Sequence, residues 1–216
     1  MGASSSTHKF CQIMNSEIRN IVDYLLLKSS YMPNIGLFHG KMCIAIAMFA
    51  YANRFNDKLM EEYAWDLLQQ VYDGVHSDMP IGLESGLIGI GYGVTLLYEN
   101  KWVEGELDSV LFDIDEKIME RDPRRIKDFS LRSGIGGLLF YLTIRERTNG
   151  ALATFDRQYL TELHDKVLDN DFKVRETNLI DILNMPSFKE TDYIDQPIGI
   201  DGGSAYYVLK RSFLHD

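Results

Sequence analysis

The chain has 216 residues, 45 % of them hydrophobic and 25 % charged, which is the composition of a single globular domain long enough to bury a sizeable core. Its net charge of −10, with no basic cluster beyond the short patch Arg124, Arg125 and Lys127, argues against a nucleic-acid partner. Two cysteines, Cys11 and Cys43, are too few for a disulfide framework, and no apolar run is long enough to span a bilayer, so a cytoplasmic protein without a membrane partner is expected.

In chain order, residues 1–11 read as a flexible tail and 12–216 as one domain. Met1–Thr7 has no basic or apolar signal region, and its loose fit to an N-myristoylation pattern is read as tail. Four amphipathic stripes with helical spacing follow: Ile13, Ile18, Ile21, Val22, Leu25, Leu26; then Leu59, Tyr63, Leu67, Leu68, Val71; then Leu107, Val110, Leu111, Ile114, Ile118; then Phe155, Tyr159, Leu163, Val167. Each stripe is backed by polar residues and predicts a half-exposed helix. Between them lie runs without a polar face, Met42–Ala52, Leu87–Tyr98 and Ile135–Ile144, with a shorter run Ser204–Leu209 at the end. A helix apolar all round is buried all round. Half-exposed and buried helices therefore alternate four times, and outer helices around inner ones satisfy this pattern. The least regular stretch, about 172–197, reads as an insertion that projects as a flap or as extra short helices.

Each buried run is opened by a glycine-rich turn: Ile35-Gly36-Leu37-Phe38-His39-Gly40, Ile81-Gly82-Leu83-Glu84-Ser85-Gly86, Phe129-Ser130-Leu131-Arg132-Ser133-Gly134 and Ile198-Gly199-Ile200-Asp201-Gly202-Gly203. The copies recur at intervals suited to a helical hairpin, and the last interval is lengthened by the insertion. The turn glycines are expected to supply positive φ or room where helices begin. A nucleotide reading fails: the glycines are in the wrong order for a dinucleotide fingerprint, a helix precedes them, and no G-K-[ST] occurs.

The fourfold G-[LI]-x-x-G turn leading into a glycine-studded apolar helix, clearest in Gly82-Leu83-Glu84-Ser85-Gly86-Leu87-Ile88-Gly89-Ile90-Gly91-Tyr92, resembles the lanthionine synthetase C-like (LanC-like) family. The resemblance implies an all-α, (α/α) toroid-type repeat with about four outer and four inner helices, a partial ring of half the family's length. It implies a role in modifying a ribosomally synthesised peptide by thioether ring formation. The family's zinc is held by Trp-Cys-x-Gly and Cys-His-Gly motifs, and neither occurs in this chain. Zinc remains conceivable only through Cys11, Cys43 and His39, so no metal or cofactor is expected, and Cys43 inside an apolar helix reads more simply as packing. The implied partners are a precursor peptide and a second chain, or another copy, that completes the ring.

In such an arrangement the turns gather at one mouth, where His39, Glu84, Arg132 and Asp201 form the candidate binding site. A structural alternative stands beside it: Glu84 and Asp201 suit helix starts, and Arg132 neutralises them. Three functions follow: a LanC-like protein of peptide modification, degenerate or acting with a partner; a non-catalytic peptide- or protein-binding half toroid; and a carbohydrate-active toroid using Glu84 and Asp201 as acid and base.

Overall fold

The computed structural model describes residues 17–149, 154–172 and 178–213. The expected tail 1–11, with Cys11, and the stripe residue Ile13 lie outside them. Among the described residues the regular elements are all helical. They are α1 (17–29), α2 (Lys41–Phe55), α3 (Lys58–Asp73), α4 (Leu87–Glu99), α5 (Leu107–Met119), α6 (Ile135–Asn149), α7 (Arg157–Asp169), α8 (Leu179–Ile182) and α9 (Ser204–Phe213), with single 3-10 turns at Pro123–Arg125 and Glu190–Asp192. Among the described residues no helix is long and apolar enough to cross a membrane.

The two helix types alternate. Every residue of α2 from Met42 to Ala52 is buried, and so is α4 from Leu87 to Thr95. The helices α1, α3, α5 and α7 bury one face each, through Ile18, Ile21, Val22 and Leu25, then Met60, Ala64, Leu67 and Val71, then Leu111, Ile114 and Ile118, then Tyr159 and Leu163. Two stripe residues point outward instead: Leu59 sits in the first turn of α3, and Val110 lies on the flank of α5. Each large aliphatic side chain buried in this core contributes roughly 1.5–3 kcal/mol.

Helix ends are set locally. Asp57 caps α3 by accepting from the Met60 amide, and it pairs with Arg19 of α1 at 2.5 Å. Asn56, at φ 55°, turns the chain between α2 and α3 in the left-handed conformation that asparagine tolerates. The interior glycines of α4 are explained by neighbours: a Cβ on Gly91 would lie 2.6 Å from the Tyr141 hydroxyl of α6, and one on Gly93 would lie 2.8 Å from Met42 Cγ of α2.

The fully buried helix α2 packs against α3, α4 and α9, while α4 packs against α5 and α6. The buried helices therefore adjoin in the order α9, α2, α4, α6, and the last repeat lies beside the first. The insertion is not a flap standing away from this body. Leu179 of α8 is buried, the Gly202 amide donates to the Asn184 carbonyl at 2.9 Å, and the Asp195 amide donates to the Tyr24 hydroxyl of α1 at 3.0 Å. Tyr207 of α9 donates to the Phe188 carbonyl, and Arg211 pairs with Glu190.

Candidate functional site

The four glycine turns share one hydrogen-bond pattern. The first amide of each buried helix donates to the carbonyl seven residues back: Lys41 to Asn34, Leu87 to Pro80, Ile135 to Asp128 and Ser204 to Pro197, at 2.8–2.9 Å. In three turns the next amide repeats it, Met42 to Ile35, Ile88 to Ile81 and Ala205 to Ile198. Leading helix amides that elsewhere wait for a capping side chain or an anion are thus taken by the turn's own main chain. The turn therefore leaves fewer free amides for an anion than an uncapped helix start would. The second glycine of each turn, Gly40, Gly86, Gly134 and Gly203, is required by space, since a Cβ would overlap backbone of the same turn. Positive φ is not the reason: the described glycines with positive φ are Gly105 and Gly202.

The first glycines explain how the turns meet. The Ile200 amide donates to Phe38, Phe38 to Glu84, and Glu84 to Arg132, at 3.0, 3.0 and 2.9 Å. The turns thus form a row in the order fourth, first, second, third. Each first glycine lies where the next turn crosses: a Cβ on Gly36 would fall 2.6 Å from Ser85 Cα, one on Gly82 2.8 Å from Ser133 Cα, and one on Gly199 would overlap the Phe38 carbonyl. The third turn ends the row. There Ser130 replaces glycine and spends its hydroxyl on Asp128 and Ser133, both within 2.9 Å.

This row brings together all four side chains singled out from the sequence. Arg132 grips Asp201 with two nitrogens, Nη1 to Oδ2 at 2.7 Å and Nη2 to Oδ1 at 3.0 Å, which joins the two ends of the row. The same Nη1 lies 3.4 Å from Glu84 Oε2. His39 Nε2 sits between the carboxylates, 3.6 Å from Glu84 Oε1 and 3.7 Å from Asp201 Oδ2. Phe38 forms the floor, with the Arg132 guanidinium 4.9 Å above its ring. Asp201 is the buried member, its side chain 5 % exposed, whereas His39 and Glu84 are 43 % and 35 % exposed and face solvent.

Burial alone would raise the Asp201 carboxyl, but the Arg132 hydrogen bonds and the Asn184 amide, which donates at 2.6 Å, outweigh it and hold the group below its ordinary value. Asp201 therefore adds stability above the ordinary carboxylate range, and that stability is lost as pH falls through its depressed value. Replacing Arg132 by Ala leaves Asp201 with Asn184 and the more distant His39, and is expected to cost about 2 kcal/mol near neutral pH. Urea unfolding of the variant at neutral and acid pH would show the gap from wild type narrowing toward acid.

Asn184 and the Ile182 carbonyl, which accepts from Arg132 Nη2 at 3.1 Å, are site residues that sequence reasoning missed. They come from the insertion, and the one signal there is an asparagine in a proline-containing loop. A second polar cluster was also missed. Between α5 and α6, Arg145 pairs with Asp115 at 2.9 Å and with Asp108 at 2.8 Å, and the Tyr141 hydroxyl donates to Asp115 at 2.7 Å.

Among the described residues no set of side chains suits zinc. The Cys43 thiol is fully buried, donates to the Gly40 carbonyl, and is pushed up to about 12 by burial, so it is no ready thiolate. Cys11 lies outside the described residues. Among the described residues no group of three or more His, Cys, Asp or Glu side chains has a metal-holding geometry. The chain matches no protein-family model and no curated protein.

Proposed function

We propose that the chain is a partial (α/α) toroid of the LanC-like kind that binds a peptide at the mouth formed by its four glycine turns. It serves the modification of a ribosomally synthesised peptide as a binding component and does not activate the thiol itself. The observation that carries this reading is the convergence of His39, Glu84, Arg132 and Asp201 from four separate repeats, in main-chain register, with His39 and Glu84 open to solvent. Two carboxylates against one guanidinium leave the exposed carboxylate Glu84 as the less tightly paired acid of the cluster. Beside it, the His39 imidazole presents ring nitrogens that hydrogen-bond peptide groups.

The binding reading is favoured over a cyclase because the zinc-ligand motifs are missing and Cys43 is shut in the core. A carbohydrate-cleaving pair is disfavoured because Arg132 lies between Glu84 and Asp201 and keeps Asp201 ionised, the opposite of what a general acid needs. Completion of the ring by another chain at the third turn is disfavoured by Ser130, which carries a Cβ at the position where the other three turns have the glycine that their neighbour crosses.

The test is fluorescence anisotropy with a labelled peptide carrying cysteine and dehydroalanine. Wild type is expected to bind saturably, and the double variant His39→Ala/Glu84→Ala to bind about tenfold more weakly, a loss of roughly 1.4 kcal/mol. Both substitutions leave the Arg132–Asp201 lock in place. Absence of binding, or equal binding by the double variant, would sink the proposal.

A further inference from the structure

A second surface lies away from the mouth, between the outer helices α3 and α5. A groove of about 440 Å³ runs there over the buried helix α4, with Ile90 and Val94 as its floor. Trp65, Leu68 and Tyr72 form one wall, and Val103, Val110 and Ile114 the other. Trp65 and Tyr72 are each 45 % exposed, yet both are held in place. The Trp65 ring stands edge-on to Phe49 with centroids 5.4 Å apart, and the Tyr72 hydroxyl donates to Asp113 across the groove at 3.2 Å. Aromatic side chains held rigid and half exposed around an apolar trough are the usual anchors of a protein interface.

The rim is acidic. Exposed Glu62, Asp66 and Asp73 flank the groove face of α3 by their helical spacing from Trp65 and Tyr72, and Glu104, Glu106 and Asp113 flank the other side. Lys58, the first residue of α3, and Lys117, in the last turn of α5, stand at the ends of these helices. An apolar trough between parallel rows of carboxylates selects a segment that is apolar on one face and cationic on the other. A second copy of this chain, itself at −10, would bring carboxylates against carboxylates, and an anionic lipid surface would meet the same repulsion.

We infer that the α3–α5 groove docks a cationic amphipathic peptide segment of a partner protein, with its apolar face on Trp65, Tyr72 and Val110. This occupant is independent of whatever binds the mouth.

Trp65 and Trp102 are the two tryptophans, so the variant Trp102→Phe makes Trp65 the sole reporter. The probe is a synthetic amphipathic helical peptide of leucine and lysine. It is expected to shift Trp65 emission to the blue in a saturable, salt-weakened manner. Val110→Asp, a change at an exposed position, is expected to weaken binding by about tenfold or more, and His39→Ala to leave it unchanged. A peptide with serine for leucine, or with glutamate for lysine, is expected to give no shift. The inference is overturned if the leucine–lysine peptide gives no saturable shift, if the shift survives Val110→Asp, or if the glutamate peptide binds as well. It is equally overturned if the protein alone shifts with its own concentration, which would mark the groove as a contact between copies.

Discussion

Replacing Asp115 by Ala is expected to lower stability by about 3–5 kcal/mol, which for a domain of this size corresponds to a fall in Tm of roughly 10 °C. Arg145 is only 2 % exposed, and among the described residues its Nε and Nη1 meet no acceptor, so Asp115 and Asp108 carry its charge compensation. Asp108 is half exposed and shares its field with water, which makes Asp115 the stronger counter-ion. Removing it strands a buried guanidinium and leaves the Tyr141 hydroxyl without its acceptor. The double variant Asp115→Leu/Arg145→Met is expected to recover most of the loss, because the desolvation of both charges disappears together.

The pH dependence at this position has its own sign. Burial raises the Asp115 carboxyl above its ordinary value despite the opposing pull of Arg145 and Tyr141. The native state therefore binds that proton more tightly than the unfolded chain does, and stability falls as pH rises through the carboxylate range. Asp201 works in the opposite direction, so chemical denaturation of single variants across that range should show slopes of opposite sign for the two sites.

The second large effect is expected at Gly86. A Cβ there would overlap the Pro80 carbonyl, which accepts the first amide of α4, and would lie 2.7 Å from the Gly82 amide nitrogen. Backbone on both sides has no room to yield, so Gly86→Ala is expected to cost about 3 kcal/mol or more and to displace Glu84 from Arg132. Gly93→Ala is the comparison: its Cβ meets the buried Met42 side chain rather than backbone, so part of the clash is relieved by side-chain repacking and the helix regains about 1 kcal/mol of propensity, which leaves a smaller loss. Urea unfolding should separate the two variants clearly. Equal destabilisation would refute the steric account of the turn.

The sequence carried the alternation of helix types and the meeting of the four turns because both are consequences of repetition. Once four turns share a register, residues at equivalent positions must face one another if the repeats pack together, and His39, Glu84, Arg132 and Asp201 do meet. The order of the turns was not legible, since one chain holds no information on which repeats adjoin. Ser130 stands where the other turns have their first glycine, at the turn that ends the row. Asp115 was readable in principle, as a carboxylate beside Ile114 and one turn from Leu111 and Ile118 on a buried stripe. Its partner Arg145 hides among the polar residues that end α6. Asn184 left no such trace, because an insertion has no repeat to be compared with.

The seating of the fourth turn against the first has a consequence for how the chain comes off the ribosome. The Ile200 amide finds the Phe38 carbonyl 162 residues earlier (200 − 38), and α9 covers a flank of α2 that nothing nearer in the chain supplies. Until residues 204–213 emerge, the buried helix α2 keeps one side uncovered. Contacts of such long sequence separation form slowly and leave the nascent chain open to aggregation in the meantime. A stop codon shortly before Ser204 would therefore yield a chain that chaperones retain, even though the three earlier repeats are present in full.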